Sequence, residues 1–145
     1  MNEKFEDIIS NNGYLITQPL GNSMLPLIRP DIDTVVIKKR IPKKYDVVLY
    51  KRSNGKYILH RVLKISNKGY DICGDNQWKI EFGIIDKQIL GVMDGFYRGN
   101  KYIDISSFWY KLYIRFWCGS LYFRKIIIYI LRVFNSLRKI NDGKK

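Results

Sequence analysis

Histidine is almost absent from this chain of 145 residues: His60 is the sole example. Cysteine is nearly as scarce, with only Cys73 and Cys118. One histidine cannot build a His-rich metal site, and the two cysteines have neither CxxC nor any other metal-ligand spacing. No metal or other cofactor is therefore expected. A single disulfide could join the two thiols, but a reduced pair suits the pattern better and points to a reducing compartment. Acids are few as well: 13 Asp and Glu face 26 Lys and Arg, a net charge of +13. That excess calls for nucleic acid, an anionic membrane surface or an acidic peptide. No window holds the ~18 uncharged apolar residues of a spanning helix. The start of the chain, Met1 to Asp7, lacks a basic segment followed by an apolar one, so no secretory leader is expected. No internal repeat or low-complexity segment is present.

What is present is ample apolar material. Hydrophobic residues make up 46% and aromatics 14%, enough for a real core and too much for disorder. The length fits one domain with an appendage. Residues 3–11 read as a short helix, with Phe5, Ile8 and Ile9 on one face and Asn12-Gly13 as its stop. Strands are expected at 14–17, 34–37, 46–50, 57–63 and 70–73, divided by polar or turn residues such as Asp31-Ile32-Asp33, Asn54-Gly55 and Lys68-Gly69. Ile84 to Val92 reads as a short helix or as a turn and strand, and Gly95 to Ile105 as a last hairpin. The expected fold is mainly β, a small antiparallel sheet or barrel over roughly 14–105, within a domain of residues 1–105.

From Ser106 onward the character changes. Nine Lys and Arg stand against one acid, Asp142, and ten aromatics lie between Phe108 and Phe134. On a helical wheel Tyr122, Ile126, Tyr129, Ile130, Val133, Leu137 and Ile140 share one side; Lys125, Arg132, Ser136 and Lys139 share the other. Residues 106–145 thus read as a basic amphipathic helical tail, suited to peripheral binding on an anionic membrane or to packing on the protein's own domain.

Three residues carry the candidate chemistry. Ser23 lies in Gly21-Asn22-Ser23-Met24-Leu25-Pro26, where Gly21 tolerates positive φ and Pro26 fixes its own, so the hydroxyl is held in a turn. His60 is the one side chain whose ordinary pKa of ~6.5 suits it as a base for that hydroxyl. It sits mid-strand, on the face of Ile58 and Val62. Asp75, in Gly74-Asp75-Asn76, could orient the imidazole; Glu81 is a second candidate for the same task.

Taken in order, Gly-x-Ser-Met-x-Pro, Asp46-Val47-Val48, His60-Arg61-Val62 and Gly74-Asp75-Asn76 resemble the signal peptidase I and repressor-protease superfamily of serine peptidases, over about residues 14–93. Histidine stands where most bacterial members have lysine, so the chain resembles the archaeal, endoplasmic-reticulum and sporulation types. The resemblance implies Ser23 as nucleophile, His60 as general base and later acid, and Asp75 as supporting carboxylate, in that superfamily's mostly-β fold. It implies a peptide or protein precursor as substrate, cut after small side chains to release a leader or signal segment. The usual N-terminal anchor is missing, which fits the short members and a cytoplasmic location, with the tail at the inner face of the membrane. The hydroxyl that often lies two residues before the nucleophile is replaced by Gly21, leaving the Ser23 N–H, helped by Asn22, for the oxyanion. Two other readings stand beside this one: a catalytically inactive relative that binds peptides, and a basic nucleic-acid-binding module. The second is the weaker, because the charge sits on a helix whose other face is apolar.

Overall fold

The computed structural model of the protein describes residues 4–142. Glu3 of the expected first helix and Lys144 and Lys145 of the basic tail lie outside the described residues, as do the side chains of Leu137, Lys139 and Ile140. The chain begins with helix α1 (Phe5–Asn12), which ends on Gly13 in the left-handed conformation, φ 79°, with its N–H on the Ile9 carbonyl. Eight strands follow: β1 (Tyr14–Thr17), β2 (Asp33–Lys38), β3 (Val47–Lys51), β4 (Tyr57–Ser66), β5 (Gly69–Cys73), β6 (Glu81–Ile84), β7 (Ile89–Arg98) and β8 (Lys101–Asp104). They form one antiparallel sheet in the order β1-β2-β7-β3-β4-β5-β6, with β8 against β7. Among the described residues β1 and β6 do not pair, so the sheet is open where a barrel would be closed.

The sheet buries both faces. Along β3, Val47 and Leu49 join one core with Val35, Ile37, Leu59, Met93 and Phe96. Val48 and Tyr50, on the alternate positions, join another with Val62, Ile72 and Val92. The two-residue period of a strand makes this division. The first core is closed by Ile9 of α1, by Met24 and Ile28 of the segment after β1, and by Tyr110.

One sequence expectation needs correction. Asp33, read as part of a polar break, is fully buried within β2; its carboxylate takes Nε and Nη2 of Arg98 at 2.9 and 2.7 Å and the Arg29 N–H at 2.9 Å. Of the two readings of Ile84 to Val92 the turn and strand holds: a 3-10 turn at Asp86–Gln88 runs into β7, and β6, for which the sequence reading has no element, precedes it. The tail is two helices, α2 (Phe108–Cys118) and α3 (Leu121–Asp142), parted at Gly119-Ser120. The Ser107 side chain caps α2 by accepting from the Tyr110 N–H.

Helix α1 is clamped to the sheet by Glu6, which accepts from Lys51 Nζ and Tyr57 Oη, both at 2.6 Å. Burial alone would raise the Glu6 pKa, but these donors outweigh it and bring it down to about 2. A depressed carboxylate stabilises the fold above its unfolded pKa, and that stability disappears as pH falls through the folded value. Glu6→Gln is therefore expected to lower the urea midpoint at pH 6, with the gap from the parent closing as pH falls from about 4 toward 2.

Candidate active site

The Ser23 turn is set by burial of its neighbour. Met24 is driven into the first core, and its carbonyl accepts from the Ile28 N–H at 2.9 Å. Ser23 is left half-buried at the surface, and Gly21 adopts φ 80°, the positive value expected of it. The segment after β5 closes on this turn. The Asn76 N–H donates to the Ser23 carbonyl at 2.8 Å, and Asn76 Nδ2 to the Asn22 carbonyl at 3.0 Å. Gly74 permits the approach: a Cβ there would lie 2.6 Å from the Ser23 carbonyl oxygen and 3.1 Å from His60 Nε2. The serine turn and the imidazole thus meet the same face of Gly74. Two residues 37 positions apart in sequence are gathered by one backbone position that has no room for a side chain.

His60 is almost wholly buried in β4. Its Nδ1 lies 3.3 Å from Tyr50 Oη and 3.4 Å from Glu81 Oε1. Tyr50 donates its proton to Glu81 Oε1 at 2.8 Å, so toward His60 the phenol oxygen can only accept. A carboxylate likewise only accepts. Both neighbours of Nδ1 being acceptors, the proton resides on Nδ1, and Nε2 carries the lone pair on the side of Gly74 and Ser23. Glu81 is itself held by Arg52, through Nε at 2.8 Å and through Nη2. Burial pulls the His60 pKa down to about 4, against an upward pull from Glu81, so the ring is neutral at pH 7.

Among the described residues, the Asp75 carboxylate makes no hydrogen bond to the imidazole. Its carboxylate is taken by Arg61, with Nε to Oδ1 at 2.8 Å and Nη2 to Oδ2 at 2.6 Å, both residues having no exposed surface. The reason is strand geometry: His60 and Arg61 are consecutive in β4 and project to opposite sides of the sheet. Spacing in sequence could not assign Asp75 to one side or the other. Of the two carboxylates weighed from the sequence, Glu81 is the one at His60 Nδ1. Tyr50, which completes that arrangement, was not singled out from the sequence. Its only signal was position: in an alternating strand it shares a side with Val48, which pairs with His60.

Arg61 is a hub that the sequence did not announce. Beyond Asp75 it donates to the Tyr45 carbonyl at 2.8 Å and to Tyr110 Oη at 3.2 Å, and it lies 5.8 Å from the ring centres of Tyr110 and Tyr113. Tyr113 Oη donates to Asp75 Oδ2 at 3.0 Å, and Trp117 Nε1 to the Asp75 carbonyl at 2.9 Å. One face of α2 is thereby fastened to the segment after β5 that closes on the serine turn. Cys73 and Cys118 are both buried and unpaired with each other, and burial pushes the Cys73 thiol up to about 11, which leaves it protonated and unreactive at neutral pH.

Ser23 also lines a cavity of about 370 Å³, whose walls include Phe5, Leu20, Met24, Ile28, Tyr57 and Leu59. A closed apolar cavity of about 150 Å³ already accommodates benzene, so this one is large enough for a bulky apolar side chain. It runs between two strand edges. β1 pairs only with β2, and β4 pairs with β5 only from Arg61 onward, so Tyr57 to His60 have one edge unpaired among the described residues. Such edges accept an extended peptide. Neither the Ser23 hydroxyl nor its N–H is engaged in a hydrogen bond among the described residues, and no Ser23–His60 hydrogen bond is formed. No cluster of His, Cys, Asp and Glu among the described residues could hold a metal ion. Compared with family models, with curated proteins and with solved structures, the chain has no match.

Proposed function

We propose that the protein is a serine endopeptidase of signal-peptidase-like type, which cleaves a leader or signal segment from a peptide or protein precursor. One observation carries the reading: the buried, neutral His60 keeps its proton on Nδ1 and its free electron pair on the side where the Ser23 turn packs. In this mechanism the substrate lies extended along the free edges of β1 and β4. His60 Nε2 accepts the Ser23 hydroxyl proton as Oγ attacks the scissile carbonyl carbon. The Ser23 N–H faces the oxyanion that forms. The imidazolium is stabilised by Glu81, which plays the part first assigned to Asp75, and it returns its proton to the leaving amine. Water, activated by the same imidazole, then releases the acyl group. The hydroxyl and Nε2 are drawn into hydrogen-bonding distance as substrate binds, a tightening common to such pairs.

The cavity beside Ser23 argues for a bulky apolar side chain near the cut, in place of the small ones that the resemblance implies. The test is trapping. A peptidyl diphenyl phosphonate bearing a leucine or phenylalanine side chain beside the phosphorus should phosphonylate Ser23 Oγ with loss of phenol, a stable adduct that peptide mapping assigns to Ser23, and an alanine counterpart should react more slowly. A protein that cleaves a reporter peptide yet carries the adduct elsewhere would end the proposal.

A further inference from the structure

A helix that packs on its own domain normally turns its apolar stripe inward. Helix α3 does the opposite. Arg124, Ile128 and Arg132, four residues apart and therefore on one stripe, face the domain. Arg124 is buried; its Nη1 donates to the Gly74 carbonyl and its Nε to the Trp117 carbonyl, both at 3.2 Å. Ile128 is buried, and the Arg132 guanidinium lies 4.6 Å from the centre of the Trp78 ring. The stripe turned away carries Tyr122, Ile126, Tyr129, Ile130 and Val133, exposed by 83, 52, 67, 46 and 41%. Phe123 and Phe134 widen it, both more than half exposed. A continuous apolar surface of this kind marks a site of association.

We infer that α3 lies in the headgroup layer of an anionic membrane with this stripe against the acyl chains. The net charge of +13 matches anionic lipid, and Lys125 is exposed at the border of the stripe, where a headgroup would meet it. Tyrosine and phenylalanine beside aliphatic residues suit the interface. No helix among the described residues is long and apolar enough to cross a membrane, so α3 lies along the surface. A second copy of the chain is a poorer cover, since it would bring two strongly positive molecules together. Nucleic acid would satisfy the charge and leave the apolar stripe bare. Because Arg124 is tied to Gly74, docking of α3 holds the Ser23 turn beside the lipid surface. The inference does not depend on peptidase activity.

The experiment is co-sedimentation of the full chain with vesicles of phosphatidylcholine alone and of phosphatidylcholine with an equal part of phosphatidylglycerol. Binding to the anionic vesicles at low salt is expected, weaker at high salt and weaker still to the neutral ones. The uncharged double variant Ile126→Ser/Tyr129→Ser should bind anionic vesicles about tenfold or more weakly, with an unchanged melting curve, because both side chains are exposed. Ser23→Ala should bind like the parent, which separates this result from the catalytic one. Absence of binding to the anionic vesicles at low salt overturns the inference, as does equal binding by the double variant. A parent that sediments as a dimer, made monomeric by the double variant with vesicle binding unchanged, would assign the stripe to self-association and equally overturn it.

Discussion

Peptide cleavage by the Ser23→Ala protein is expected to fall to background, a loss on the order of 10⁴-fold or more, since removal of a serine nucleophile takes most of the catalysis with it. His60→Ala should cost ~10²–10⁴-fold, the contribution of a positioned general base. The pH profile tests the roles separately. With the His60 pKa pulled down to about 4 by burial, kcat/KM should stay high as pH falls through 6 and decline only near 4, where a solvated imidazole would already fail near ~6.5. The sign follows from the chemistry: the base must be unprotonated, so activity is lost on the acid side of its pKa. Glu81→Gln removes the charge that raises the His60 pKa and leaves Arg52 unopposed, and Arg52 lowers it further. The acid limb of that variant should move to lower pH. Its kcat should fall as well, because the imidazolium formed in the reaction has lost its counter-charge. An acid limb near 6.5 in the parent, or one unmoved by Glu81→Gln, would remove His60 from the role of base.

Strand existence was legible in the sequence because β-branched runs end at turn residues. Val35 to Ile37 and Tyr57 to Val62 lie in strands as expected, and the Asn54-Gly55 turn has its glycine at φ 82°. What the sequence hid was pairing across distance. Asp33 looks like loop polarity until Arg98, 65 residues away, is beside it. Glu81 and Tyr50 become the companions of His60 only through the register of β3 with β4 and of β5 with β6. Gly74 reads as a turn glycine; its real constraint is the Ser23 carbonyl, a backbone contact that no local pattern reports. A helical wheel groups the side chains of the tail by direction, but it cannot say which direction faces the domain. Arg124 and Arg132 reverse the usual choice, because the carbonyls of Gly74 and Trp117 take Nη1 and Nε of Arg124 and the ring of Trp78 faces Arg132.

The second large effect concerns stability. Asp75→Ala would leave the Arg61 guanidinium buried without its counter-ion, and loss of one partner of such a pair typically costs ~3–5 kcal/mol. Against a total stability of ~5–15 kcal/mol, that is a large fraction. At this chain length it corresponds to a drop of roughly 10–20 °C in Tm. The loss should spread beyond the pair. Tyr113 loses its acceptor with the Asp75 carboxylate, while the Trp117 bond to the Asp75 carbonyl remains, so the first two turns of α2 should become more sensitive to limited proteolysis in the variant. Activity should fall too, because the Asn76 N–H that holds the Ser23 carbonyl belongs to the adjoining residue. These outcomes would make Asp75 a positioning residue, and Asp75→Asn, assayed well below its Tm, distinguishes this from the orienting role that the resemblance suggests. If Asp75 supported the imidazole directly, Asp75→Asn would displace the acid limb more than Glu81→Gln does. Because Glu81 lies at Nδ1 while Asp75 is spent on Arg61, the expected order is the reverse: Asp75→Asn lowers kcat and Tm with a small displacement of the limb, and Glu81→Gln displaces the limb with a small change in Tm.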